Sequence, residues 1–391
     1  YGHVYDRPGK YTVTLTVSNP LTGDTATDSF SISVEDPDKC FAGKNTICVS
    51  THGDFSGAPD GALLVTDNSL AGVIDTYAKS AKRVLFHRGE QWHISRSPGR
   101  IVEDGPAMIG AFGKGPKPKL VAEVGCRAIL NFSELKRNVT KGWRVMDLEI
   151  DGNWVETASA IRLGGHDQLV YRVDCYRVNG GISFSESGLR FQWEKGHRPL
   201  LNSDLGIVDC TVSNIGKLSP GGGVGIYGAT DGILLLGTTL HDNTRGEHNV
   251  RFTYAFKGVI AHNKISQPAW TKQCLTIRSL AYDKEDSMMI NKYSGKLIVA
   301  DNHFRADNTT IMTNSGFGNN GYDKPKTFDV IWERNLFETD GRTSGPFSLD
   351  GHRSTFRNNV FLAHERVSYG FGVGNLFKNT ADATDAKIYN N

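Results

Sequence analysis

The segments KLIVADNHFRAD (296–307) and DVIWERNLFETD (329–340) share one layout: an apolar run, an Asn, and an aromatic residue two positions after it. The layout recurs in KGVIAHNKIS (257–266) and STFRNNVFLA (354–363), so that Asn263/Ile265, Asn302/Phe304, Asn335/Phe337 and Asn359/Phe361 follow one another at intervals of 39, 33 and 24 residues. Constant units joined by unequal connections mark a solenoid whose loops vary on one flank. Related segments extend the series back to about residue 142: RVMDLEIDGN (144–153), LVYRVDCYRVNG (169–180), LGIVDCTVSN (205–214) and DGILLLGTTLHDN (231–243).

Between these segments lies a second, shorter strand pattern each time: SAIRLGG, GISFSES, GVGIYGA, HNVRFTY, CLTIRSL, TTIMTNS and PFSLDGH. Two or three short strands per unit, with an Asn that can take a left-handed turn and bond its stacked neighbour, predict an all-β, right-handed parallel β-helix. A leucine-rich repeat is excluded because its Leu–Asn signature is missing, and a propeller needs longer units than the shorter intervals allow. Ahead of the repeats, Ser69 can cap a helix over 70–82, with Leu70, Ile74, Tyr77 and Ala81 on one face. It reads as an N-terminal lid on the open end of the solenoid core. RVLFHRGEQWHI (83–94) follows as a strand.

The first 35 residues are a separate unit. YTVTLTVSN (11–19) and TATDSFSISV (25–34) alternate apolar and polar residues around the turn PLTGD. The opening YGHVYDRPGKYTVTLTV resembles the final strands of a PKD domain, an immunoglobulin-like β-sandwich, with its first half missing. The predicted organisation is therefore a C-terminal part of such a sandwich at 1–35, a linker at 36–45 and a β-helix at 46–391. Opening at Tyr1 without Met, the chain reads as a mature or trimmed product. Of the six cysteines, Cys40 and Cys48 bracket a short polar loop and are expected to form a disulfide in a secreted protein. Cys175 and Cys210, each in a VDC string, read as buried packing in one repeating slot.

The composition narrows the functional classes. With 44 Lys+Arg against 42 Asp+Glu, the chain lacks the basic excess of a nucleic-acid binder. No run approaches a membrane span.

Alternation predicts that Ile161, Ile226, Val250, Ile277 and Leu349 of the short strands face the core. The outward column then reads Arg162, Ser183, Tyr227, Arg251, Arg278, Asn314 and Asp350, with Asn249, Thr276, Met312 and Ser348 one same-face position earlier. Arg, Tyr, Asn and Asp down a flat sheet suit an acidic sugar chain, because guanidinium forks bind carboxylates and sulfates. The densest stretch, NTRGEHNVRFTY (243–254) with TKQCLTIRS (271–279), gathers Arg245, Glu247, His248, Arg251, Lys272 and Arg278. Cleavage of a uronic-acid polymer by β-elimination needs a carboxylate neutralised, a carbon-bound proton removed and a leaving oxygen protonated. Arginines suit the first task. His248, Lys272 or Tyr254 is the easier proton acceptor, although alternation turns His248 inward.

The repeats and this placement resemble the pectin-lyase-like superfamily of right-handed β-helices, which includes pectate lyases, alginate lyases and chondroitinase B. GEHNVRF followed one rung later by LTIRS is similar to the Glu-bearing and Arg-bearing strands of the alginate lyase and chondroitinase B group. The resemblance implies Arg278 in the catalytic pair and Glu247 near calcium or substrate, and leaves calcium open as a cofactor. That group uses a Lys base and paired acidic ligands, where this strand has Arg251 with Asn249. Pectate lyases with an arginine base keep Arg251 among the candidates. The expectation is a secreted, monomeric polysaccharide lyase with Arg251, Arg278, His248 and Lys272 as catalytic candidates. Arg162, Tyr227, Arg245, Asn249, Tyr254, Asn314 and Asp350 are the candidate substrate contacts. A polygalacturonase-like glycoside hydrolase would need clustered carboxylates. A non-catalytic carbohydrate-binding adhesin would need an apolar stripe to oligomerise, and the sequence shows neither.

Overall fold

In the computed structural model, residues 3–19, 21–132, 140–184, 202–217, 222–279, 294–307, 311–318, 327–339, 345–349, 351–364, 372–373 and 386–391 are described. From Thr46–Ser50 onward, every paired strand among them runs parallel to its neighbours. The segments that opened the sequence reading form the long strands Ser294–Ala300 and Thr327–Glu333, each followed after a two-residue corner by a short strand, His303–Arg305 and Leu336–Thr339. The ten short strands of this second kind stack into one parallel sheet. A third strand per rung, such as Leu275–Ser279, then leads back to the next long strand. This repeating course is the predicted right-handed parallel β-helix.

The corner between long and short strand explains why Asn recurs. Asn263 donates its backbone N–H and its Nδ2 to Oδ1 of Asn302 (3.0 and 2.8 Å), and its Nδ2 also reaches the Leu235 carbonyl one rung back. Asn302 repeats these bonds toward Asn335 and Ile260, Asn335 toward Asn359 and Val299, and Asn359 toward Asn391 and Trp332. The left-handed backbone expected of the Asn is instead taken by the residue before it: His262, Asp301, Arg334 and Asn358 have φ of +53 to +57°. That residue points outward, so the corner accepts varied side chains there, and stacked Asp301 and Arg334 form a two-pronged ion pair. Beside the ladder the rings of Phe304, Phe337 and Phe361 stack at 5.3 and 5.1 Å, filling the core.

Further back the slot is held by Thr238 and then Cys210, whose thiol reaches the Val170 carbonyl as the Asn side chains do. The reading of Cys175 and Cys210 as one repeating position therefore slips by two residues: Cys175 pairs with Val212, and Cys210 occupies the corner. Both are buried as expected.

At the N-terminal end the helix is shorter than predicted, spanning Leu70–Tyr77, with Ser69 Oγ accepting from the Gly72 N–H at 3.1 Å. Leu70, Ala71, Val73 and Ile74 are buried in the core, whereas Ala81 lies past the helix end at a positive φ. The strand expected over 83–94 is two, Arg83–His87 and Gln91–Ile94, which turn a corner between sheets. The expected Cys40–Cys48 disulfide is absent. Cys40 is exposed beside Glu35 at the end of a short helix, while Cys48 packs with Leu85 and Phe112 inside a strand. Gly9–Ser18 and Thr25–Val34 form a separate two-stranded antiparallel ribbon.

Two outcomes follow from this construction. Replacing Asn302 or Asn335 with Ala removes buried side-chain bonds at one rung and should lower unfolding free energy by about 1–2 kcal/mol, read from denaturant melts. Deleting residues 1–35 should leave the helix folded with an unchanged melting transition, since no ladder bonds join the ribbon to it.

Candidate active site

The third strand of each rung carries the predicted outward column, and the backbone pairing fixes its order. Arg162 stacks on Ser183, Ser183 on Tyr227 and Tyr227 on Arg251. The next partner is Thr276, not Arg278, followed by Asn314 and Ser348. The expected column is thus correct through Arg251 and again at Asn314, while the places given to Arg278 and Asp350 are taken by Thr276 and Ser348, two residues earlier. Leu275 and Ile277 both face the core, so alternation alone fits either alignment. The choice is made at the loop, where the N–H groups of Asn249 and Val250 bond the carbonyls of Gln273 and Cys274. Arg278 sits one pleat further along, roughly 8 Å diagonally from Arg251 by strand spacing and rise.

The two arginines still bear on one point. His248, buried as alternation required, has its pKa lowered to about 2, first by burial and then by the charges of Arg278, Arg251 and Lys272. Its Nδ1 accepts the Gln273 N–H at 3.2 Å, which leaves the ring proton on Nε2. His248 is thus neutral, with its ring proton on Nε2. The proton-acceptor role weighed for it lacks a free ring nitrogen.

Glu247 lies between two cations, 3.6 Å from Arg251 and 3.7 Å from Lys272. Arg251 also covers the Tyr227 ring at 5.7 Å. Glu247 was the expected metal residue, but these neighbours oppose a calcium ion, and among the described residues no three His, Cys, Asp or Glu groups converge. The donor set does not fit calcium. Arg162, at the other end of the column, has its pKa lowered by burial and then by Arg100, and bonds Ser159 Oγ at 3.1 Å.

Three expected substrate contacts are buried. Tyr254 is 2% exposed, at the corner where its strand passes into the long sheet, and its hydroxyl is taken by Asp231 at 2.5 Å. Asn249 is buried, accepting from Asn243 and donating to the Ser266 carbonyl. Asn314 is buried against Thr276, although it does stand in the column. Arg245 is exposed on the loop flank, over the ring of Trp154 at 5.3 Å. Trp154 is a partner the sequence reading did not single out, since nothing in the repeat pattern marks its loop. Asp350 lies outside the described residues.

No protein-family model and no curated protein matches the sequence. Among solved structures, the chain is similar to the A-module of a mannuronan C-5 epimerase from Azotobacter vinelandii, at 11% identity and a TM-score of 0.42 over 79% of this chain and 87% of that one. It is also similar to DFA-IIIase from Arthrobacter chlorophenolicus, at 13% identity and a TM-score of 0.42 over 78% of this chain and 70% of that one. The fold assignment rests on the chain's own strand pairing.

The depressed pKa of His248 has a consequence for stability. Its folded value lies below the ordinary 6.5, so the unfolded chain binds the proton more readily. The stabilisation is complete above about pH 6.5 and declines as the pH falls from there. His248→Gln should flatten that decline, measured as the difference in denaturation midpoint between neutral and mildly acidic buffer.

Proposed function

We propose that this sheet face binds an acidic, uronic-acid-containing polysaccharide and cleaves it by β-elimination. The observation that carries the reading is the gathering of Arg251, Arg278 and Lys272 around a neutral His248. Like charges held together on a rigid sheet repel one another, and an anion laid between them relieves that repulsion. A uronate carboxylate fits a guanidinium fork, and neutralising it acidifies the adjacent C–H.

In this reading Arg251 and Arg278 hold the carboxylate. Lys272, its half-exposed amine positioned by Glu247, takes the proton in its uncharged form and becomes the ammonium that Glu247 then pairs. The Nε2–H of His248 and the Tyr227 hydroxyl are the donors available to the leaving oxygen. A hydrolase would need paired carboxylates at one bond. The outward column from Arg162 to Ser348 contains none, and Glu247 is committed to two cations. We place the protein outside the cell, acting on a soluble polymer.

The non-catalytic binder is favoured by one observation that the sequence reading missed. Leu169, Leu234, Val259, Ile298 and Ile331 point outward from the long sheet in one register, half-buried, as an apolar stripe interrupted only by Gly206. Such a stripe can seat a second copy. Analytical ultracentrifugation decides: a monomer is expected, and an oligomer that Ile298→Lys dissociates would favour the binder.

For the enzyme, incubation with a panel of acidic polysaccharides should release unsaturated ends absorbing in the ultraviolet. Reducing ends without that absorbance would indicate a hydrolase. Arg278→Ala should lower turnover about a hundredfold or more at unchanged stability, with Arg278→Lys recovering only part, because a point charge does not replace a fork. Full lyase activity in both Arg251→Ala and Arg278→Ala would overturn the site.

A further inference from the structure

Trp270 is the most conspicuous aromatic side chain on the molecule, 79% exposed where a tryptophan ordinarily finds cover. It stands at the tip of a tight turn that is built, not loose. The Lys272 N–H closes the turn onto the Ala269 carbonyl at 2.9 Å, Thr271 takes a left-handed φ of +66°, and the Ala269 N–H is tied to the Glu247 carbonyl at 3.2 Å. The turn therefore joins the two residues, Glu247 and Lys272, whose side chains pair at the edge of the cation cluster.

The same flank carries a second aromatic surface. The loops that follow the short strands emerge side by side up the helix, and Trp154 lies on one of them, four rungs before Trp270. Trp154 is held at φ +58°, a conformation bulky residues avoid, with the Arg245 guanidinium over its ring. Two indoles on one flank, with Arg245 between them in rung order, run beside the column from Arg162 to Arg251. At the rung spacing of about 4.8 Å the strands that lead into the two loops are roughly 19 Å apart along the axis, a span that takes several sugar units.

We propose that Trp270 is a sugar-stacking platform that sets the substrate as a long polymer, holding a pyranose ring next to the unit whose carboxylate the arginines bind. The inference rests on the polysaccharide reading above. A pyranose presents an apolar face of C–H groups that an exposed indole covers, while its hydroxyls stay in water. Placed beside Lys272, the platform fixes which unit of the chain reaches the cluster. Trp154 with Arg245 would hold the chain further along, contributing only when the chain spans the rungs between.

The test is binding by isothermal titration to short and long oligomers of mannuronate, guluronate and galacturonate. Trp270→Ala should fold with an unchanged melting temperature and weaken binding of the long oligomer by about tenfold or more. Trp270→Phe should restore part of the loss, and Trp154→Ala should weaken the long oligomer while leaving the short one unaffected. Equal affinity of Trp270→Ala and the unaltered chain for the long oligomer would overturn the platform while leaving the arginine cluster standing. Failure of the unaltered chain to bind any of these oligomers would overturn the polysaccharide reading and the platform with it.

Discussion

The rungs from Asn263 to Asn359 all turn the same corner, and there the corner is closed by one carboxamide. A left-handed residue points the chain sharply from the long strand to the short one, which leaves main-chain groups inside the core without a strand partner. The Asn that follows supplies both a donor and an acceptor to them: Asn302 donates its Nδ2 to the Ile260 carbonyl and accepts the Asn263 N–H at its Oδ1, both one rung back, and reaches the Asn335 side chain one rung on. A buried polar side chain is tolerable only when all its groups are satisfied, and here stacking satisfies them. The same arrangement carries the aromatic stack beside it, because rings two residues after equivalent corners necessarily lie over one another.

With the corner fixed, the opposite side of each rung is free to carry chemistry. The third strands present their side chains at regular spacing, and charge can be concentrated there because the sheet beneath does not yield. A neutral, buried imidazole surrounded by three cations is an expensive arrangement in isolation. It is held because His248 is locked by a backbone donor and lies two residues ahead of a strand, Val250–Ala261, that is paired on both sides.

The fold was legible because its signals repeat: four Asn residues, each followed two positions later by Ile or Phe, and alternating short strands predict a β-helix even though the loops differ in length. The site was legible in part. Arg162, Tyr227 and Arg251 fall into one column as alternation predicts, but Arg278 does not follow them, since a two-residue slip preserves which face each residue takes. Only main-chain bonds in the loop at Gln273 and Cys274 distinguish the alignments. The same ambiguity placed Cys175 in the slot of Cys210. Tyr254 and Asn249 were beyond reach for another reason: their hydroxyl and amide are used by Asp231 and Ser266, partners distant in sequence that no local pattern reveals. The disulfide expected from the nearness of Cys40 and Cys48 fails likewise, because nearness along the chain says nothing of a strand that carries Cys48 inside.

The ladder of Asn side chains has no preferred position along the axis. Each member meets the one before and the one after in the same geometry, so a rung could be duplicated or excised whole and the joint would heal with the bonds already in use. Growth of the gene by such units would lengthen the outer sheet by one strand at a time and add one more place along its face for a polymer to rest. The length of that face could therefore change over evolution while the rungs that carry Arg251 and Arg278 stay as they are.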